Sequence, residues 1–219
     1  MGGMSKAPAL SRDRIVEAAV AVADGGGLSA VSMRNVGDQL GVRAMSLYHH
    51  VANKDEILDA LADWVFGQIW LPALDDPWRP AMAARADSSR AVLFEHGWAL
   101  GLIESRRNPG PALLRHHDTV LGCLLANGFS MRLASHAFSV LDAYIYGFVV
   151  TELSLPFAPD EGAADFAAEL DLPFEAYPHM ARMLTELVFT ESYDFGDEFS
   201  YGLNLILDQL DSRLSSPPA

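Results

Sequence analysis

The apolar residues of this chain recur almost throughout at intervals of three and four positions, and strand-like alternation is scarce. The stretch from Ile15 to Val22 is typical, because its apolar side chains fall at i, i+3, i+4 and i+7 and so share one face of a helix. Half of all residues are hydrophobic, which is enough for a sizeable core. The spacing therefore predicts an all-α fold.

Capping residues and glycines divide the first part of the chain into short helices. Ser11 is placed to cap the first helix, and the run Gly25-Gly26-Gly27 is expected to end it. Ser32 caps a short second helix, which Gly41 ends because glycine tolerates the left-handed backbone of a tight turn. A third short helix is predicted from about Arg43 to His50. A short helix, a glycine turn and a second short helix are the arrangement of a helix-turn-helix.

A fourth helix is predicted after Asn53, which can cap it with Glu56 as the reciprocal partner. We expect this helix to run to about Ile69, ahead of a proline-containing break over 71–80. The stretch 155–173, rich in Pro, Asp, Glu and Ala, is predicted to be a mobile loop. Apolar spacing predicts the remaining helices over 80–96, 97–105, 110–127, 131–154, 175–191 and 196–213.

The third helix must enter the major groove if the helix-turn-helix binds DNA, so its side chains decide what it can read. Ser46 and Tyr48 can donate hydrogen bonds to phosphates or bases, and Arg43 can pair with guanine or a phosphate. Lys54 falls at the start of the fourth helix, where free backbone N–H groups favour an anion, so we expect it to clamp a phosphate. Arg34, at the start of the second helix, has a similar reach.

Charge is distributed unevenly along the chain. The net charge is -14, yet residues 1–56 hold six basic and six acidic side chains, so the later residues carry the whole imbalance. An acidic body is repelled by phosphates while a neutral N-terminal part can approach them, which would orient the molecule on DNA. Protonation of His49 and His50 would add positive charge there and raise DNA affinity as the pH falls toward about 6.

The compartment is predicted from the single cysteine and from the lack of export signals. Cys123 cannot form an internal disulfide, which indicates a reducing compartment. Residues 1–10 lack the apolar run of a secretory signal, and no stretch approaches the roughly 20 uninterrupted apolar residues of a membrane-spanning helix. We expect a soluble cytoplasmic protein without a membrane partner.

Three segments of the N-terminal region carry a specific pattern, namely Ser32–Val36, Leu40–Val42 and Leu47–Lys54. They resemble the TetR family of regulators, most closely in the order Leu-Tyr-x-His-Val-x-Asn-Lys. Weaker similarity to the branch that holds the tetracycline repressors continues over residues 55–61, 128–130 and 202–210. The resemblance implies an all-helical homodimer that binds a palindromic operator and is released by a small-molecule effector.

Domain ranges and DNA contacts follow from the same resemblance. We expect a three-helix DNA-binding domain over 11–56, a larger helical ligand-binding and dimerisation domain over 57–214, and flexible tails over 1–10 and 215–219. Ala44 and Met45 occupy variable readout positions, so the operator should differ from tetracycline operators. The expected DNA-contact residues are Arg34, Arg43, Ala44, Ser46, Tyr48, His49, His50 and Lys54.

A ligand pocket and a dimer interface are implied for the body helices. Tetracycline repressors hold magnesium through a histidine in the sixth helix, whereas the comparable stretch here reads Leu102-Ile103-Glu104-Ser105, so binding of tetracycline with magnesium does not carry over from the resemblance. The apolar surroundings of the expected pocket suggest a mainly hydrophobic effector. The residues expected to line the pocket are Trp98, Leu102, His117, Leu121, Phe138 and Tyr144. Those expected at the dimer interface are Leu133, Leu141, Phe148, Leu203, Ile206 and Leu210. The alternative for each of these positions is an ordinary core residue.

Other functions have weaker support in the sequence. The neighbours His116, His117 and Asp118 do not favour a metal site, because adjacent helix positions point about 100° apart. Neither a metal nor another cofactor is expected. G-x-S-x-G, H-E-x-x-H and phosphate-cradling glycine loops are absent from the sequence, so it does not favour an enzyme. A helical enzyme and a ligand sensor that does not bind DNA remain the alternatives.

Overall fold

The computed structural model of the protein describes residues 9–103, 109–155, 173–190 and 193–215. Within these ranges every regular element is helical, which confirms the all-α prediction. A 3-10 turn (Gly97–Ala99) precedes α6, and a π-helical turn (Leu184–Val188) follows α9. The helices are α1 (Arg12–Ala30), α2 (Met33–Leu40), α3 (Ala44–Leu47), α4 (Lys54–Gln68), α5 (Trp78–Glu95), α6 (Leu100–Ile103), α7 (Pro111–Ala126), α8 (Met131–Leu153), α9 (Pro178–Met183) and α10 (Asp197–Leu214).

Two compact units divide the chain, the first ending at Phe138 and the second beginning at Ser139, so the division falls inside α8. Helix α4, at the predicted domain boundary, packs on both α1 and α7. The domain ranges 11–56 and 57–214 therefore remain a prediction.

Side-chain caps begin the N-terminal helices where the sequence predicts them. Ser11 and Ser32 each accept a hydrogen bond from the backbone N–H three residues later, at 3.3 and 3.1 Å. Asn53 does the same for Glu56 at 2.9 Å. The return bond from Glu56 reaches the N–H of Ala52 at 2.7 Å, one residue before the cap. These local bonds fix where α1, α2 and α4 start.

Glycine ends α2 as predicted, and the glycine run interrupts α1 before its last turn. Gly41 has the left-handed backbone of the tight turn, with φ 69° and ψ 27°. In the run Gly25-Gly26-Gly27 only the last residue is non-helical, with φ 69° and ψ -178°, and a further turn follows to Ala30. The glycine run therefore ends the regular helix that begins at Arg12, as predicted, because Gly27 tolerates a positive φ that other residues rarely adopt.

The N-terminal helices close around a shared set of buried side chains, here called the head core. Leu47 and Val51 lie in it with 0% and 2% of their surface exposed, and Val42 packs against it. Leu102 of α6 also belongs to the head core, which therefore extends beyond residue 56. Other members are Ile15, Ala19, Val31, Val36, Ile57 and Leu61.

In the second unit, aromatic rings hold α8 against α10 and the residues just before it. The Tyr144 ring stacks on Phe199 with 5.5 Å between centroids, and Phe148 stacks on Phe195 at 4.8 Å. The Tyr144 hydroxyl donates a hydrogen bond to the Phe199 carbonyl oxygen at 3.0 Å. A Cβ at Gly202 would collide with that hydroxyl, so glycine there permits the close approach of the two helices.

The later helices are more irregular than predicted. The helix expected over 97–105 is a 3-10 turn followed by α6, and the one expected over 175–191 is the short α9 followed by the π-helical turn. Residues 1–8, 104–108, 156–172, 191–192 and 216–219 lie outside the described ranges, and with them most of the predicted tails, most of the predicted loop, Glu104 and Ser105.

Helix α8 is, within the described ranges, the one helix long and apolar enough to cross a membrane by length and composition alone. The sequence prediction that no stretch approaches this limit did not anticipate it. Core helices of soluble proteins meet the same criterion, and Asp142 is buried near the middle of α8.

Candidate functional site

Helix α3 has one buried face and one open face. Leu47 anchors it in the head core, whereas Met45 and Tyr48 are 73% and 49% exposed. His49 and His50 are exposed in the turns that follow, and Ser46 is half-buried. The side chains that the sequence predicts for DNA readout therefore face solvent, and Tyr48 is not a core aromatic.

Basic side chains flank this open face. Arg43 is exposed and precedes α3 with an extended backbone. Lys54 is exposed at the first position of α4. Arg34 is also exposed, and its Nε lies 3.8 Å from Asp38 Oδ2, an i,i+4 surface pair that holds its side chain weakly. Because these three basic side chains are exposed, they can bind a phosphate without losing any buried contact.

Gly37 sets the approach of α2 to α3, a role that the sequence reading missed. It is buried within α2, and a Cβ there would lie 3.0 Å from the Val42 carbonyl oxygen and 3.2 Å from the Ala44 nitrogen. Both atoms belong to the backbone that leads into α3. A glycine inside a helix costs about 1 kcal/mol relative to alanine, so its position alone could have indicated a packing role.

Within the first unit, two aspartates connect the N-terminal helices α1 and α4 to the part of the chain after α4, here called the body. Asp24 of α1 accepts hydrogen bonds from Trp98 Nε1 at 2.6 Å and lies 2.8 Å from His96 Nδ1. Asp63 of α4 accepts from the backbone N–H groups of Ala112 and Leu113 at 2.8 and 3.0 Å, at the start of α7. Neither link could be predicted from sequence, because each joins residues 49 to 74 positions apart.

The predicted pocket residues are distributed over several places. Trp98 and Leu102 pack with the head core, while Tyr144 stacks in the second unit. His117 and Phe138 do meet, with 4.5 Å between ring centroids. Leu121 follows His117 one turn later on α7 and is half-buried. Of the six residues, the structure thus brings His117 and Phe138 into ring contact.

Beside that pair lies a buried polar cluster that the sequence reading missed. Arg85, Ser89 and His116 are at most 1% exposed. Arg85 Nε donates a hydrogen bond to His116 Nε2 at 3.2 Å, and its guanidinium carbon lies 5.2 Å from the Phe138 ring centroid. Burial, then the charge of Arg85 and then that of His117 lower the pKa of His116 to about 3, so this imidazole is neutral at physiological pH. The sequence feature that could have indicated this cluster is an arginine among the apolar positions of α5.

A separate cleft of about 570 Å³ lies between α1, α4 and the segment that leads into α7. Five of its twelve lining residues are acidic, and none of the six predicted pocket residues contributes to it. The lining includes Asp13, Glu17, Glu56, Asp59, Asp63 and Trp64. Arg12 crosses its edge to pair with Glu56 at 3.1 Å.

Two buried histidines of the first unit have partners other than a metal ion. His96 contacts Asp24, and His116 accepts from Arg85. Within the ranges the structure describes, no group of three His, Cys, Asp or Glu side chains is arranged to hold a metal ion.

The predicted dimer residues lie largely inside the subunit. Leu141, Phe148, Leu203 and Leu210 are buried in the second unit, and Leu133 and Ile206 are half-buried. In this arrangement the four buried side chains contribute to the fold of one chain instead of offering a surface to another. Helices α8 and α10 leave other large apolar residues of the second unit exposed, namely Val140, Val150, Leu153, Tyr201 and Leu205.

Comparison with known proteins identifies relatives over nearly the whole chain. Residues 15–61 match the family model described as bacterial regulatory proteins, tetR family, and residues 71–214 match the tetracyclin repressor-like C-terminal domain. An HTH-type transcriptional regulator of Saccharopolyspora erythraea is 36% identical over 176 residues, which cover 80% of this chain and 75% of the relative.

Another relative and a solved structure agree with these matches. The HTH-type transcriptional repressor DrrR1 of Streptomyces coeruleorubidus is 34% identical over 215 residues, covering 93% of this chain and 78% of the relative. The crystal structure of the TetR family protein ActR of Streptomyces coelicolor, in complex with (S)-DNPA, matches with a TM-score of 0.72 at 25% identity, covering 95% of this chain and all of that one.

Proposed function

The chain belongs to the TetR family of bacterial regulators, and we propose that it represses transcription as a homodimer on a palindromic operator until a small, mainly hydrophobic effector releases it. The family assignment makes it a ligand-responsive, DNA-binding transcription regulator and not an enzyme. The proposal includes a cytoplasmic location, a DNA-binding domain over 11–56 and a ligand-binding and dimerisation domain over 57–214.

The two-sided character of α3 is the observation that carries the DNA-binding proposal. Its buried face holds the helix in the head core, so the open face with Met45 and Tyr48 can stand in a major groove without loss of packing. Lys54 and Arg34 then approach phosphates on either side and fix the position of the helix. The proposed contact set is Arg34, Arg43, Ala44, Ser46, Tyr48, His49, His50 and Lys54.

The exposed apolar side chains of α8 and α10 support dimerisation through these helices. Val140, Val150, Tyr201 and Leu205 are each between 42% and 67% exposed in a single chain. A two-fold partner would cover them and would present two copies of α3 to successive major grooves about 34 Å apart. This proposal keeps the predicted helices but moves the contact from their buried to their exposed sides.

An effector bound in the body is supported by the complex of ActR with (S)-DNPA. The links from Asp24 and Asp63 give such an effector a physical route to the head, because both carboxylates bind residues of the body. An effector that favours another arrangement of those residues shifts the population away from the DNA-binding state. Coupling is reciprocal, so operator DNA should weaken effector binding by the same factor.

Selection from a random duplex pool, followed by gel shift on the enriched sequence, tests the DNA-binding proposal. We expect a palindrome to be enriched and its affinity to fall steeply with salt, because Lys and Arg contacts release counterions. Lys54→Ala should weaken binding on all sequences and lower the magnitude of the salt slope by about one.

Tyrosine provides a matched control for the readout face. Tyr48→Phe removes one hydroxyl from the proposed interface and should weaken operator binding by about fivefold, the size of one net hydrogen bond. Tyr177→Phe removes the same group from a comparably exposed tyrosine outside the head and should leave binding unchanged. Equal affinity of the wild-type protein and the Tyr48 and Lys54 variants would contradict the proposed interface.

A further inference from the structure

Met45, the second residue of α3, is more exposed than any other large apolar residue that the structure describes. Its exposed fraction is 73%, and it is neither in the head core nor among the side chains packed against that core. Leu47 is fully buried two positions later. Because successive helix positions are about 100° apart, Met45 points away from the side that Leu47 buries. It therefore stands on the outer side of α3, where a partner can reach it.

Met45 differs in chemistry from the other residues of this open face. Ser46 and Tyr48 carry hydroxyl groups, and Arg43 carries a guanidinium, so each can donate a hydrogen bond. Ala44 is half-buried and has only a single methyl group. The thioether of methionine has no donor and is at most a weak acceptor, while its unbranched chain adapts to the surface that it meets. Met45 can thus recognise a partner only by apolar contact.

The major groove of DNA offers one apolar group for such a contact, the C5-methyl of thymine. The other base edges in this groove present hydrogen-bond donors and acceptors, which lose water when an apolar side chain covers them. A methionine that enters the groove therefore favours thymine, and it disfavours cytosine, whose C5 carries no methyl group.

We propose that Met45 reads the C5-methyl group of one thymine in each half of the operator, and so determines part of its sequence. The inference rests on the proposed function, because it requires α3 to stand in the major groove. Two-fold symmetry then places the two thymines at equivalent positions of the palindrome.

Deoxyuridine in place of thymine tests the proposal, because it removes the methyl group and leaves every hydrogen-bonding atom of the base pair. The full-length protein is titrated with its selected palindrome, in which one symmetric pair of thymines at a time is replaced. We expect one pair to weaken binding about fourfold in each half-site, the value for one buried methyl group. The same replacement should not affect Met45→Ala. If no replacement acts differently on the wild-type protein and on Met45→Ala, the proposal is wrong.

The reverse change separates the methyl group from the rest of the base. Cytosine at the identified position should weaken binding, since it presents an amino donor where thymine presents a carbonyl acceptor. Its 5-methyl derivative keeps that donor and adds only the methyl group, so it should bind the wild-type protein about fourfold more tightly per half-site than cytosine. Equal binding of cytosine and 5-methylcytosine by the wild-type protein would overturn the proposal.

Substitutions assign the effect to the side chain at this position. Met45→Leu should retain much of the dependence on the methyl group, because leucine is apolar and of similar volume. Met131→Ala is the matched control, since Met131 is 61% exposed at the start of α8, and it should show the full wild-type dependence. Urea unfolding verifies that each variant is folded before the affinities are compared. Loss of the methyl dependence in Met131→Ala, or its persistence in Met45→Ala, would contradict the assignment.

Selection of the palindrome separates this inference from the proposed function. If the wild-type protein enriches no palindrome, the proposed function fails and the inference fails with it. If a palindrome is enriched and Lys54→Ala weakens its binding, but no methyl group acts through Met45, only the inference is wrong.

Discussion

Burial changes the acid–base chemistry of His116, and the stability of the protein should depend on pH for that reason. The pKa is lowered from 6.5 to about 3 in the folded chain, chiefly by desolvation. Between these values the unfolded chain binds a proton that the folded chain does not, so protonation favours unfolding. The stability contribution of neutral His116 is complete above about pH 6.5 and is lost as the pH falls toward 3.

Urea unfolding at pH 7 and pH 5.5 measures this contribution. Wild-type protein should lose about 1 kcal/mol more than His116→Gln over this interval, because glutamine does not titrate. Carboxylates and the other histidines titrate in both proteins, so the difference isolates His116. Parallel pH dependence in the two proteins would contradict the lowered pKa.

Gly37 is the residue on which the spacing between α2 and α3, the two helices of the helix-turn-helix, depends most directly. Gly37→Ala would bring a methyl group to 3.0 Å from the Val42 carbonyl oxygen, and the nearest atoms are backbone that cannot rotate away. We expect a loss of about 1–3 kcal/mol in the free energy of unfolding, as for other overpacked sites, with weaker operator binding.

Gly25→Ala provides the control for Gly37→Ala. Gly25 also lies in a helix, but a Cβ there has no atom within 4 Å. This variant should be neutral or more stable by about 0.5–1 kcal/mol, because alanine is the better helix former. Urea unfolding compares the two, and similar effects would show that helix propensity rather than packing governs Gly37.

Among the contacts between helices, the side chain of Asp63 connects α4 to the start of α7. Its carboxylate accepts from two of the free N–H groups at the start of α7, as a capping side chain would, although it comes from another helix. Gly110 allows this approach, since a Cβ there would collide with the carboxylate. A shift of α7, which carries His116, must therefore move or break its contact with α4.

Asp63→Ala should weaken this connection. We expect about 0.5–2 kcal/mol lower stability, the usual cost of losing a cap, and faster amide exchange in the first turn of α7. Asp118→Ala, at an exposed position of the same helix, should change neither quantity. Hydrogen exchange read by mass spectrometry compares the variants, and unchanged exchange in Asp63→Ala would refute the link.

Local rules explain why some elements were predictable and others were not. The caps at Ser32 and Asn53 join residues three positions apart, so the sequence reveals them. The hydrogen bond between Arg85 and His116 joins residues 31 positions apart and depends on how two helices pack. Sequence spacing placed Leu141 on the apolar face of a helix, and the structure buries it within one chain; the spacing cannot tell a face buried within one chain from a face offered to another.

At the scale of the whole molecule, an acidic body and a neutral head predict that a single chain binds DNA weakly, so operator affinity should depend on the proposed dimer. One head has few positive side chains, and the -14 charge of each chain opposes approach to phosphates. Two linked heads add their contacts, because the second binds at the high effective concentration set by the first. The exposed apolar side chains of the second unit are therefore the part of the surface on which operator affinity should depend, although they do not touch DNA.

Leu205→Asp tests this dependence, and Leu114→Asp is its matched control, because the two leucines are 54% and 57% exposed on helices of the body. A buried aspartate at the proposed interface would be left unpaired beside apolar side chains, so Leu205→Asp should yield monomers in sedimentation experiments. Its operator affinity should fall by more than about tenfold, while an isolated half-site should bind as weakly as before. Leu114→Asp should remain dimeric with full affinity. If Leu205→Asp also remains dimeric, α10 does not contribute this face to the interface, and the heads must be joined through another surface.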